Sequence, residues 1–496
     1  MSVALLSRSS SRAFDAERIR AGVPGSLLME NAGRGAAEVL LSRLGDALAR
    51  PVIVGGLGQN GGDAWVVARR LVTLGHAPRC FVLGARDNVS GDAAIAIRAL
   101  EALGVSAIEI RESQDALHAA LRDASAIVDG VFGTGLDRAI EGWRAAALAA
   151  MAASGVPVFA LDLPSGVDAD TGAVHGVAVP ARLTATFAGY KRGHLTGPGR
   201  GLSGDVVVVD IGVPPPPAHD RVLELADAAA WLPARANDAH KGTAGHALVL
   251  AGEAGKSGAA LLGGHGALRG GAGLVTLAVP RSAQSAYDAR VLELMTASVT
   301  DAGSIRALAE GKRAVVLGPG FGLEPERRSL AVELARTLEP VTILDADALT
   351  AIGGDLGSLS GAPLRVLTPH PGEAARLLGS TTEAVQADRF GAAAALAERS
   401  GQLVVLKGAG TIVAQGGRCA VCPLGTPALG VAGTGDVLAG AIAAVIDGSA
   451  AFETACAAVL LHARAGELAA HTDRGLLARE VGDALPVALA EARLTR

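Results

Sequence analysis

Aromatic residues, cysteines and an excess of basic charge are all scarce in this sequence of 496 residues. Phe, Trp and Tyr make up 3% of the chain, and there are four cysteines. So few cysteines exclude the disulfide framework of small secreted domains and favour a reducing compartment. Cys419 and Cys422 form a CxxC without a second ligand pair, so we expect them to be ordinary strand cysteines. The formal net charge of −5 argues against the basic surface that nucleic-acid binding requires.

The sequence also lacks a long, unbroken apolar run. No uncharged stretch is longer than 145–161, which contains Gly155 and Pro157 and is too short and broken to cross a bilayer. We expect a helix followed by a buried strand there. Arg8 and Arg12 interrupt the serine-rich start, which is unlike the apolar core of a secretory signal. These features predict a cytoplasmic protein that has neither a membrane nor a nucleic acid as a partner.

Hydrophobic residues are nevertheless abundant, at 50% of the chain, and short β-branched runs alternate with alanine-rich stretches. Strands that are apolar throughout and separated by helices indicate parallel sheets covered on both faces, which is the α/β class. In the first half we predict strands over 51–56, 79–84, 126–132, 156–163 and 205–213, with helices over 63–74 and 92–103. In the second half we predict strands over 247–251, 274–279, 314–317, 341–344, 364–367, 403–406 and 411–414.

A proline-rich segment separates the two halves. The residues from Val213 to Ala218 read VPPPPA, and four consecutive prolines favour a stiff, extended connector. We therefore place the boundary near 213–236. The predicted domains are 1–215 and 237–496, joined by a connector over 216–236.

Three motifs of the first half each follow a predicted strand. They read GLGQNGGD from Gly56, DGVFGTGL from Asp129 and LDLPSGVD from Leu161. Glycines at a strand-to-helix turn let backbone N–H groups approach an anion, although an ordinary glycine turn would explain the first motif equally well. In a parallel sheet all three loops open at the same carboxyl edge, where ligands bind.

Polar side chains in these motifs support a binding site. Asn60, Asp129 and Ser165 could converge as hard oxygen ligands of a small cation. Taken singly, Asp129 and Asp162 could instead cap helices, and Ser165 could close a turn. Their placement after three strands favours the functional interpretation.

Together with LMENAG from Leu28, these motifs resemble the NAD(P)H-hydrate epimerase domain, over about residues 10–215. The resemblance implies a Rossmann-like, three-layer α/β/α fold that interconverts the R and S epimers of hydrated NADH and NADPH. It implies that Asp162 holds the hydrate near the reacting carbon and that potassium binds to Asn60, Asp129 and Ser165. The implied hydrate contacts are Gln59, Asn60, Gly61, Gly62, Asp63, Gly133, Thr134, Gly135, Leu136 and Asp162.

The chain departs from that family's usual GNNGGDG at two positions, Gln59 and Ala64. Gln59 keeps the amide chemistry. Ala64 restricts a position where we expect the backbone to prefer a positive φ.

The most specific motif of the second half is AGTGDVL, from Ala432 to Leu438, which leads into an apolar helix. Gly433 and Gly435 free backbone amides at a helix N-terminus, where they can hold developing phosphate charge. Asp436 could take the proton from a hydroxyl that attacks the phosphate. The alternative is a carboxylate that only complements the helix dipole.

Other strand ends of the second half carry polar residues. Lys407 and the glycine turn after it suit a nucleotide phosphate, or Lys407 is a solvated strand-end lysine. His370 lies between two prolines and is either a rigid ligand contact or a structural histidine. Asp345 and Asp347 could orient magnesium or cap the next helix.

With HKGTAG from His240, GPGFG from Gly318 and TPHPGE from Thr368, the second half resembles the ADP-dependent NAD(P)H-hydrate dehydratase domain, which has a ribokinase-like α/β/α fold. The resemblance covers about residues 230–490 and implies phosphorylation of the hydrate's ring hydroxyl by ADP, then loss of phosphate. It makes Asp436 the catalytic base. The implied nucleotide contacts are Lys407, Gly408, Ala409, Gly410, Thr411 and Gly435, and the implied hydrate contacts are Ala259, Gly320, His370 and Asp436. GTP from Gly425 departs from the family's usual GNP.

The two resemblances imply a bifunctional metabolite-repair enzyme, active as a homo-oligomer. It would act on hydrated NADH and NADPH, with ADP as co-substrate, K⁺ in the first domain and Mg²⁺ in the second, releasing NAD(P)H, AMP and phosphate. One alternative is an ATP-dependent small-molecule kinase of the ribokinase-like superfamily. Another is an active dehydratase that carries a non-catalytic first domain.

Overall fold

The computed structural model describes residues 3–45, 48–217 and 219–495. It divides into two compact units, Val3–Asp220 and a second that begins at Arg221. This division falls inside the predicted connector 216–236, whose residues after 220 form a short strand and a helix of the second unit instead of extended chain. Residues 213–217 have no regular secondary structure, and Ala218 lies outside the described residues. The predicted α/β class with two units is confirmed.

The first unit alternates strands with helices along most of its length. Its strands are β1 (Val3–Leu6), β2 (Pro51–Gly55), β3 (Arg79–Leu83), β4 (Ile108–Ile110), β5 (Ala126–Gly130), β6 (Val158–Leu161), β7 (Leu183–Phe187), β8 (Tyr190–Lys191) and β9 (Asp205–Val209). Its helices are α1 (Arg8–Arg20), α2 (Gly25–Leu44), α3 (Gln59–Thr73), α4 (Gly91–Glu101), α5 (Asp115–Leu121), α6 (Gly142–Ala153) and α7 (Gly197–Leu202).

Seven strands of the first unit form a parallel sheet in the order β4-β3-β2-β5-β6-β7-β9. Both faces are apolar because helices cover both. Ile53 joins one core cluster with residues of α2, α3 and α4, whereas Val52 and Val54 join another with residues of α5 and α6. Successive residues of a strand point to opposite faces, so an unbroken apolar run is what a three-layer α/β/α unit requires.

The second unit repeats this alternation on a larger scale. Its strands are β10 (Arg221–Val222), β11 (His246–Leu250), β12 (Leu274–Pro280), β13 (Met295–Val299), β14 (Ala314–Leu317), β15 (Val341–Leu344), β16 (Arg365–Leu367), β17 (Leu403–Leu406), β18 (Thr411–Gln415) and β19 (Arg418–Cys422). Its helices are α8 (Leu225–Trp231), α9 (Ser257–Gly270), α10 (Gln284–Asp288), α11 (Ala302–Ala309), α12 (Pro325–Thr337), α13 (Asp347–Ile352), α14 (Pro371–Leu378), α15 (Thr382–Ala387), α16 (Arg389–Ser400), α17 (Thr434–Val445), α18 (Ala451–Ala469) and α19 (Ala478–Leu494).

The strands of the second unit follow the order β13-β12-β11-β14-β15-β16-β17-β18-β19-β10. Neighbours are parallel except in the meander β17-β18-β19, which is antiparallel. Val249 joins the core that contains residues of α17, α18 and α19. Leu248 and Leu250, which alternate with it, are also fully buried, so this sheet is covered on both faces as well.

Every predicted strand has a counterpart in the structure, and seven further strands were not predicted from a run of their own: β1, β4, β7, β8, β10, β13 and β19. The predicted helix and strand within 145–161 are α6 and β6. Cys419 and Cys422 lie buried in β19 and are strand cysteines, as predicted. Within the described ranges no single helix has the length and composition of a membrane span, although the pair Thr434–Val445 and Gly448–Ala469, bent by 108°, meets that test by length and composition only.

Candidate active sites

The strand order of the first sheet reverses between β2 and β5, and the first two glycine motifs follow these two strands. Ligands of open α/β sheets bind at such a reversal. Most of the first motif is helix, not loop, because α3 already begins at Gln59 after the N-cap Gly58. The turn is very close-packed, since a methyl group on Gly61 would lie 2.0 Å from the carbonyl oxygen of Gly56. Ala64 continues α3, so the expected positive φ at this position is wrong.

A cavity of about 820 Å³ opens at this reversal. Eight of the predicted hydrate contacts line it: Gln59, Asn60, Asp63, Gly133, Thr134, Gly135, Leu136 and Asp162. Gly61 and Gly62 instead pack beneath the surface, where a methyl group on Gly62 would lie 2.5 Å from Met29. Their glycine character therefore serves the close packing of the turn.

Asp162 is held at the cavity in an unusual backbone conformation, with φ +63. Its carboxylate lies 2.5 Å from the ammonium of Lys191 and accepts hydrogen bonds from the Thr134 N–H, at 3.3 Å, and the Thr186 hydroxyl, at 3.2 Å. Lys191 is 1% exposed and also donates to Thr186 Oγ1 at 2.9 Å. Asp162 therefore fixes the second glycine motif and does not cap a helix. Lys191 lines the same cavity, although the sequence analysis did not select it.

The pKa values of Asp63 and Asp162 are shifted in opposite directions. Burial would raise the pKa of Asp162, but the charge and hydrogen bond of Lys191 outweigh burial and lower it. Burial raises the pKa of Asp63 well above its usual value, and the negative charges of Asp162 and Asp15 add to this effect. Asp63 therefore holds a proton more readily than Asp162, which is the difference expected between an acid and a base.

His194 supports Asp162 from below. Its Nδ1 accepts from the Lys191 N–H at 2.9 Å, which leaves Nε2 as the donor to the Asp162 carbonyl oxygen at 2.7 Å. Burial, with the nearby charge of Lys191, lowers the pKa of His194 to about 4, so the ring is neutral at physiological pH. A neutral imidazole can accept with one nitrogen and donate with the other, as this contact requires.

Two of the three predicted potassium ligands are in direct contact. The Ser165 hydroxyl donates to Asp129 at 2.5 Å, and the Ser165 N–H donates to the same carboxylate at 2.8 Å. Both residues are fully buried. Burial raises the pKa of Asp129 to about 6, against the opposing effect of the Ser165 hydrogen bonds. Asn60 is buried in the first turn of α3, and its side-chain oxygen and nitrogen have no hydrogen-bond partner among the residues that the structure describes.

In the second unit, the motif around Asp436 forms the start of α17. The N-cap Gly433 has φ +93, and Thr434, Gly435 and Asp436 occupy the first turn. The N–H groups of a first helical turn have no partner within the helix, so they can bind an anion. His462 steadies this turn, because its Nε2 lies 2.9 Å from the Thr434 carbonyl oxygen. Burial lowers the pKa of His462 to about 4.

Lys407 and Asp345 form a buried ion pair beside this turn. The Lys407 ammonium lies 2.6 Å from Asp345, which also accepts from the Thr368 hydroxyl at 2.8 Å. A methyl group on Gly435 would lie 3.4 Å from that ammonium, so the ion pair adjoins α17. Lys407 is 19% exposed and is therefore not the solvated lysine of the alternative. Burial would lower the pKa of Lys407, but the carboxylates of Asp345, Glu373 and Asp436 raise it.

Burial and the negative charge of Asp345 raise the pKa of Asp436 to about 7, although Lys407 opposes them. Asp436 is therefore more than a partner of the helix dipole, since a carboxylate with this pKa can accept a proton near neutral pH.

The remaining predicted residues lie at strand ends of the same sheet, except Ala259, which lies in the first turn of α9. The Lys407 N–H donates to the Pro369 carbonyl at 2.9 Å, which joins the loops after β16 and β17. A methyl group on Gly320 would lie 3.4 Å from the methyl group of Ala259, so these two predicted hydrate contacts are neighbours.

His370 has the structural role that the sequence left open. Its Nδ1 accepts from the N–H groups of Gly372 and Glu373 at the start of α14. Its Nε2 lies 3.5 Å from Glu373 Oε1, and its side chain is 52% exposed.

The two candidate magnesium ligands have different partners. Asp345 is bound by Lys407 and Thr368, whereas Asp347 accepts from the Gly322 N–H at 3.0 Å and pairs with Lys256 at 3.2 Å. No side chain caps α13, so the capping alternative is wrong for both. In the GTP motif, Thr426 caps a short turn of 3₁₀ helix.

Comparisons with known proteins cover both units. A family model described as NAD(P)H-hydrate dehydratase matches residues 247–486, and a model of the YjeF-related protein N-terminus matches residues 25–193. The chain is 36% identical to a bifunctional NAD(P)H-hydrate repair enzyme of Moorella thermoacetica, across 94% of this chain and 93% of that one. It is 38% identical to the enzyme of the same name from Thermofilum pendens, across 92% of this chain and 89% of that one.

One solved structure is similar to part of the chain. It is an ADP/ATP-dependent NAD(P)H-hydrate dehydratase from Bacillus subtilis, co-crystallised with ATP and Mg²⁺; it is 31% identical and covers 54% of this chain and 97% of that one, with a TM-score of 0.47. The alignments with the two bifunctional relatives cover about nine-tenths of each chain, which establishes the family. The chain belongs to the family of bifunctional NAD(P)H-hydrate repair enzymes.

Proposed function

We propose that this chain repairs hydrated NADH and NADPH at two sites. The first unit would interconvert the R and S epimers of the hydrate, and the second would dehydrate the S epimer with ADP. The main support is the arrangement around Asp436, a carboxylate with a pKa of about 7 in the first turn of α17, beside the ion pair of Lys407 and Asp345.

For the first site we propose acid–base exchange at the ring carbon that carries the hydroxyl. The ring nitrogen pushes its electron pair toward that carbon as the carbon–oxygen bond breaks, and the neutral Asp63 donates the proton that makes water the leaving group. Water then adds to the opposite face and gives a proton to the ionised Asp162. Proton exchange with solvent in the cavity restores both groups. Supporting this assignment, both side chains line the cavity and their pKa values move in opposite directions.

The remaining cavity residues would bind the hydrate. We propose contacts from Gln59, Asn60 and Asp63 in α3 and from Gly133, Thr134, Gly135 and Leu136 in the second glycine motif, which line the cavity with Asp162. Gly61 and Gly62 would support the turn without touching the ligand. Lys191 would keep Asp162 ionised and correctly oriented.

The donor set around Asp129 fits potassium. Within the described ranges there is no cluster of three or more His, Cys, Asp or Glu side chains that could hold a metal, so a cation here needs amide and hydroxyl oxygens as well. The unpartnered Asn60 amide, the buried Asp129 and Ser165 supply oxygens of that kind. Bound K⁺ would neutralise Asp129 and hold the ends of β2, β5 and β6 together.

For the second site we propose phosphoryl transfer followed by elimination. Asp436 takes the proton of the hydrate's hydroxyl, whose oxygen attacks the terminal phosphorus of ADP and releases AMP. The ring nitrogen then expels phosphate, a much better leaving group than hydroxide, and loss of a proton from the neighbouring ring carbon restores the dihydronicotinamide. The free N–H groups of α17 and the ammonium of Lys407 would stabilise the phosphate charge.

Residues at the strand ends would hold the two ligands of this site. We propose that the loop from Lys407 to Thr411 and Gly435 bind the nucleotide, and that Ala259, Gly320 and His370 contact the hydrate. Mg²⁺ would bind mainly through phosphate oxygens and water. Asp347 is the better protein ligand for it, because its partner Lys256 is 52% exposed, whereas Asp345 is committed to the buried Lys407.

The test is to incubate the purified chain with the mixed hydrate epimers and either ADP, ATP or no nucleotide. We expect complete recovery of reduced-nicotinamide absorbance with a nucleotide, and epimer exchange without one. A phosphorylated product that keeps its phosphate would instead identify a small-molecule kinase. Pure R hydrate that is consumed no faster than by spontaneous epimerisation would identify a non-catalytic first unit.

Two variants provide reciprocal controls, because each changes one unit only. Asp436→Asn should abolish dehydration and leave epimer exchange intact, whereas Asp162→Asn should do the reverse. Loss of both activities in either variant, with the fold retained, would contradict the assignment of one reaction to each unit.

A further inference from the structure

A buried arginine lies directly beneath the proposed nucleotide loop, the segment from Lys407 to Thr411. Arg389 is the first residue of α16 and is 4% exposed. Its Nη2 donates to the carbonyl oxygens of Leu406 at 3.3 Å, Lys407 at 3.2 Å and Gly410 at 3.2 Å. Nη1 donates to the Gln386 side chain at 2.9 Å. One guanidinium therefore binds both ends of the loop.

These contacts determine which way the loop presents its donors. The carbonyl oxygen and the N–H of a trans peptide point in opposite directions, so the N–H of Gly408 points away from Arg389. Gly408 and Ala409 are exposed, whereas Gly410 is buried. The N–H of Gly408 is thus turned toward the outer surface of the loop, where an anionic ligand can approach it.

The arginine and the glycine also fit one another closely. Gly408 has φ +137, and a methyl group there would lie 2.9 Å from Nη1 of Arg389. Without other contacts, this glycine would leave the loop flexible, since glycine has the widest conformational freedom. A planar guanidinium with several fixed donors can restrict it, whereas the three donors of a lysine ammonium rotate freely and have no fixed plane.

We propose that Arg389 is a positioning residue for the nucleotide: it holds the loop from Lys407 to Thr411 in the conformation that binds the phosphates of ADP. It would not touch the nucleotide or the hydrate. The inference rests on the proposed function of this loop and extends it to a residue below the site.

The test compares Arg389→Lys with Arg365→Lys in the full chain. Arg365 is a matched control because it is also a buried arginine that binds backbone carbonyls, those of Ala335, Leu338, Pro340 and Leu364. It begins β16 and so lies at the amino edge of the sheet, opposite the loop after β17. The measurements are ADP affinity by calorimetry, and kcat and KM for ADP during dehydration.

We expect Arg389→Lys to raise Kd and KM for ADP about tenfold, the effect of losing one or two net hydrogen bonds, with kcat changed by no more than about twofold. Arg365→Lys should leave Kd and KM unchanged, even if it lowers the melting temperature. Gln386→Ala is a milder variant at an exposed position that still frees Nη1, and it should raise KM by about twofold to threefold.

The possible outcomes distinguish the positioning role of Arg389 from nucleotide binding by the loop itself. Unchanged ADP affinity in Arg389→Lys, or an equal loss in Arg365→Lys, would overturn the positioning role while leaving the proposed function intact. A wild-type chain that binds no ADP would overturn the proposed nucleotide site and the inference together.

Discussion

Asp436 offers a prediction in which stability and catalysis are linked through one proton. Its pKa is 3.8 in an exposed aspartate and about 7 in the folded chain. When a carboxyl group has a higher pKa in the folded than in the unfolded state, the unfolded state ionises first as the pH rises. Stability is therefore lost between pH 3.8 and about 7, and the loss is complete above that range.

The size of the effect follows from the two pKa values. A gap from 3.8 to about 7, at about 1.4 kcal/mol per pKa unit, corresponds to roughly 4 kcal/mol. Asp436 is partly exposed, and solvent screening reduces such a value, so we expect about 2–4 kcal/mol. Asp436→Asn carries no titrating group, so its free energy of unfolding should exceed that of the wild type by a margin that grows over this pH range and then stays constant.

The assay is hydrogen exchange of peptides from β14 and β15 in a urea series at several pH values, which reports on the second unit alone. Only the pH dependence of the difference matters, because any fixed effect of the asparagine cancels. Asp447→Asn is the control: hydrogen bonds from Ser449 lower the pKa of Asp447, so its variant should lose stability relative to wild type only as the pH rises toward 3.8, and the difference should stay constant between pH 3.8 and about 7. A margin for Asp436→Asn that is flat with pH would refute the raised pKa.

The protonation state of Asp436 should also control the rate of dehydration. In the wild type, kcat/KM for dehydration should rise with pH and level off above about 7, because only the ionised Asp436 can act as a base. A rate that is constant down to about pH 5 would show that another group takes the proton.

Three further perturbations test the first unit. Lys191→Met should lower the free energy of unfolding by about 3–5 kcal/mol at neutral pH, because it leaves the buried Asp162 without its ion-pair partner. This loss should be smaller in acid, where Asp162 becomes protonated. Arg79→Met is the control and should have little effect, because it breaks the more exposed ion pair of Arg79 and Asp123. Replacing K⁺ by tetramethylammonium should lower the epimerisation rate and the melting temperature of wild type but not of Ser165→Ala. Gly61→Ala should cost about 1–3 kcal/mol by urea titration because its methyl group meets Gly56. Gly201→Ala in α7 is the control and should be close to neutral, because a methyl group there has no described atom within 4 Å.

Continuous apolar runs predicted the central strands well, since a strand that is covered on both faces must be apolar throughout. The missed strands have no such run. β4 has three residues, β13 is half-exposed at the sheet edge, and β7 alternates threonine with apolar residues. Tertiary pairing, not local pattern, makes these segments strands. The start of α3 was placed too late for a related reason, because glycines that suit a loop also permit the close helix packing seen at Gly61.

In the candidate sites, only the residues that belong to sequence motifs could be predicted. The motif residue Asp162 follows strand β6, and Asp436 lies in the first turn of helix α17, as their motifs predict. Lys191, His194 and Arg389 carry no motif, and their importance depends on which distant groups the fold places beside them. The only sequence signal at Lys191 is a lone lysine after a strand. That feature is too common to identify a site residue.

Each of the two sites contains a buried lysine–aspartate ion pair next to a second carboxyl group, and the proposed roles of that second group are opposite. In each, a buried lysine pairs with one aspartate, Asp162 in the first unit and Asp345 in the second, and the negative charge of that aspartate raises the pKa of a neighbour. The outcome depends on how burial and the nearby charges combine. Asp63 is 8% exposed, and burial with the negative charge of Asp162 raises its pKa well above its usual value, which suits the proposed proton donor. Asp162 is buried to the same extent, yet its pKa is lowered because Lys191 lies 2.5 Å away. Asp436 is partly exposed and lies near both Lys407 and Asp345, and its pKa rises to about 7, which suits the proposed base. Desolvation and the position of the lysine together therefore set the proposed role of each carboxyl group.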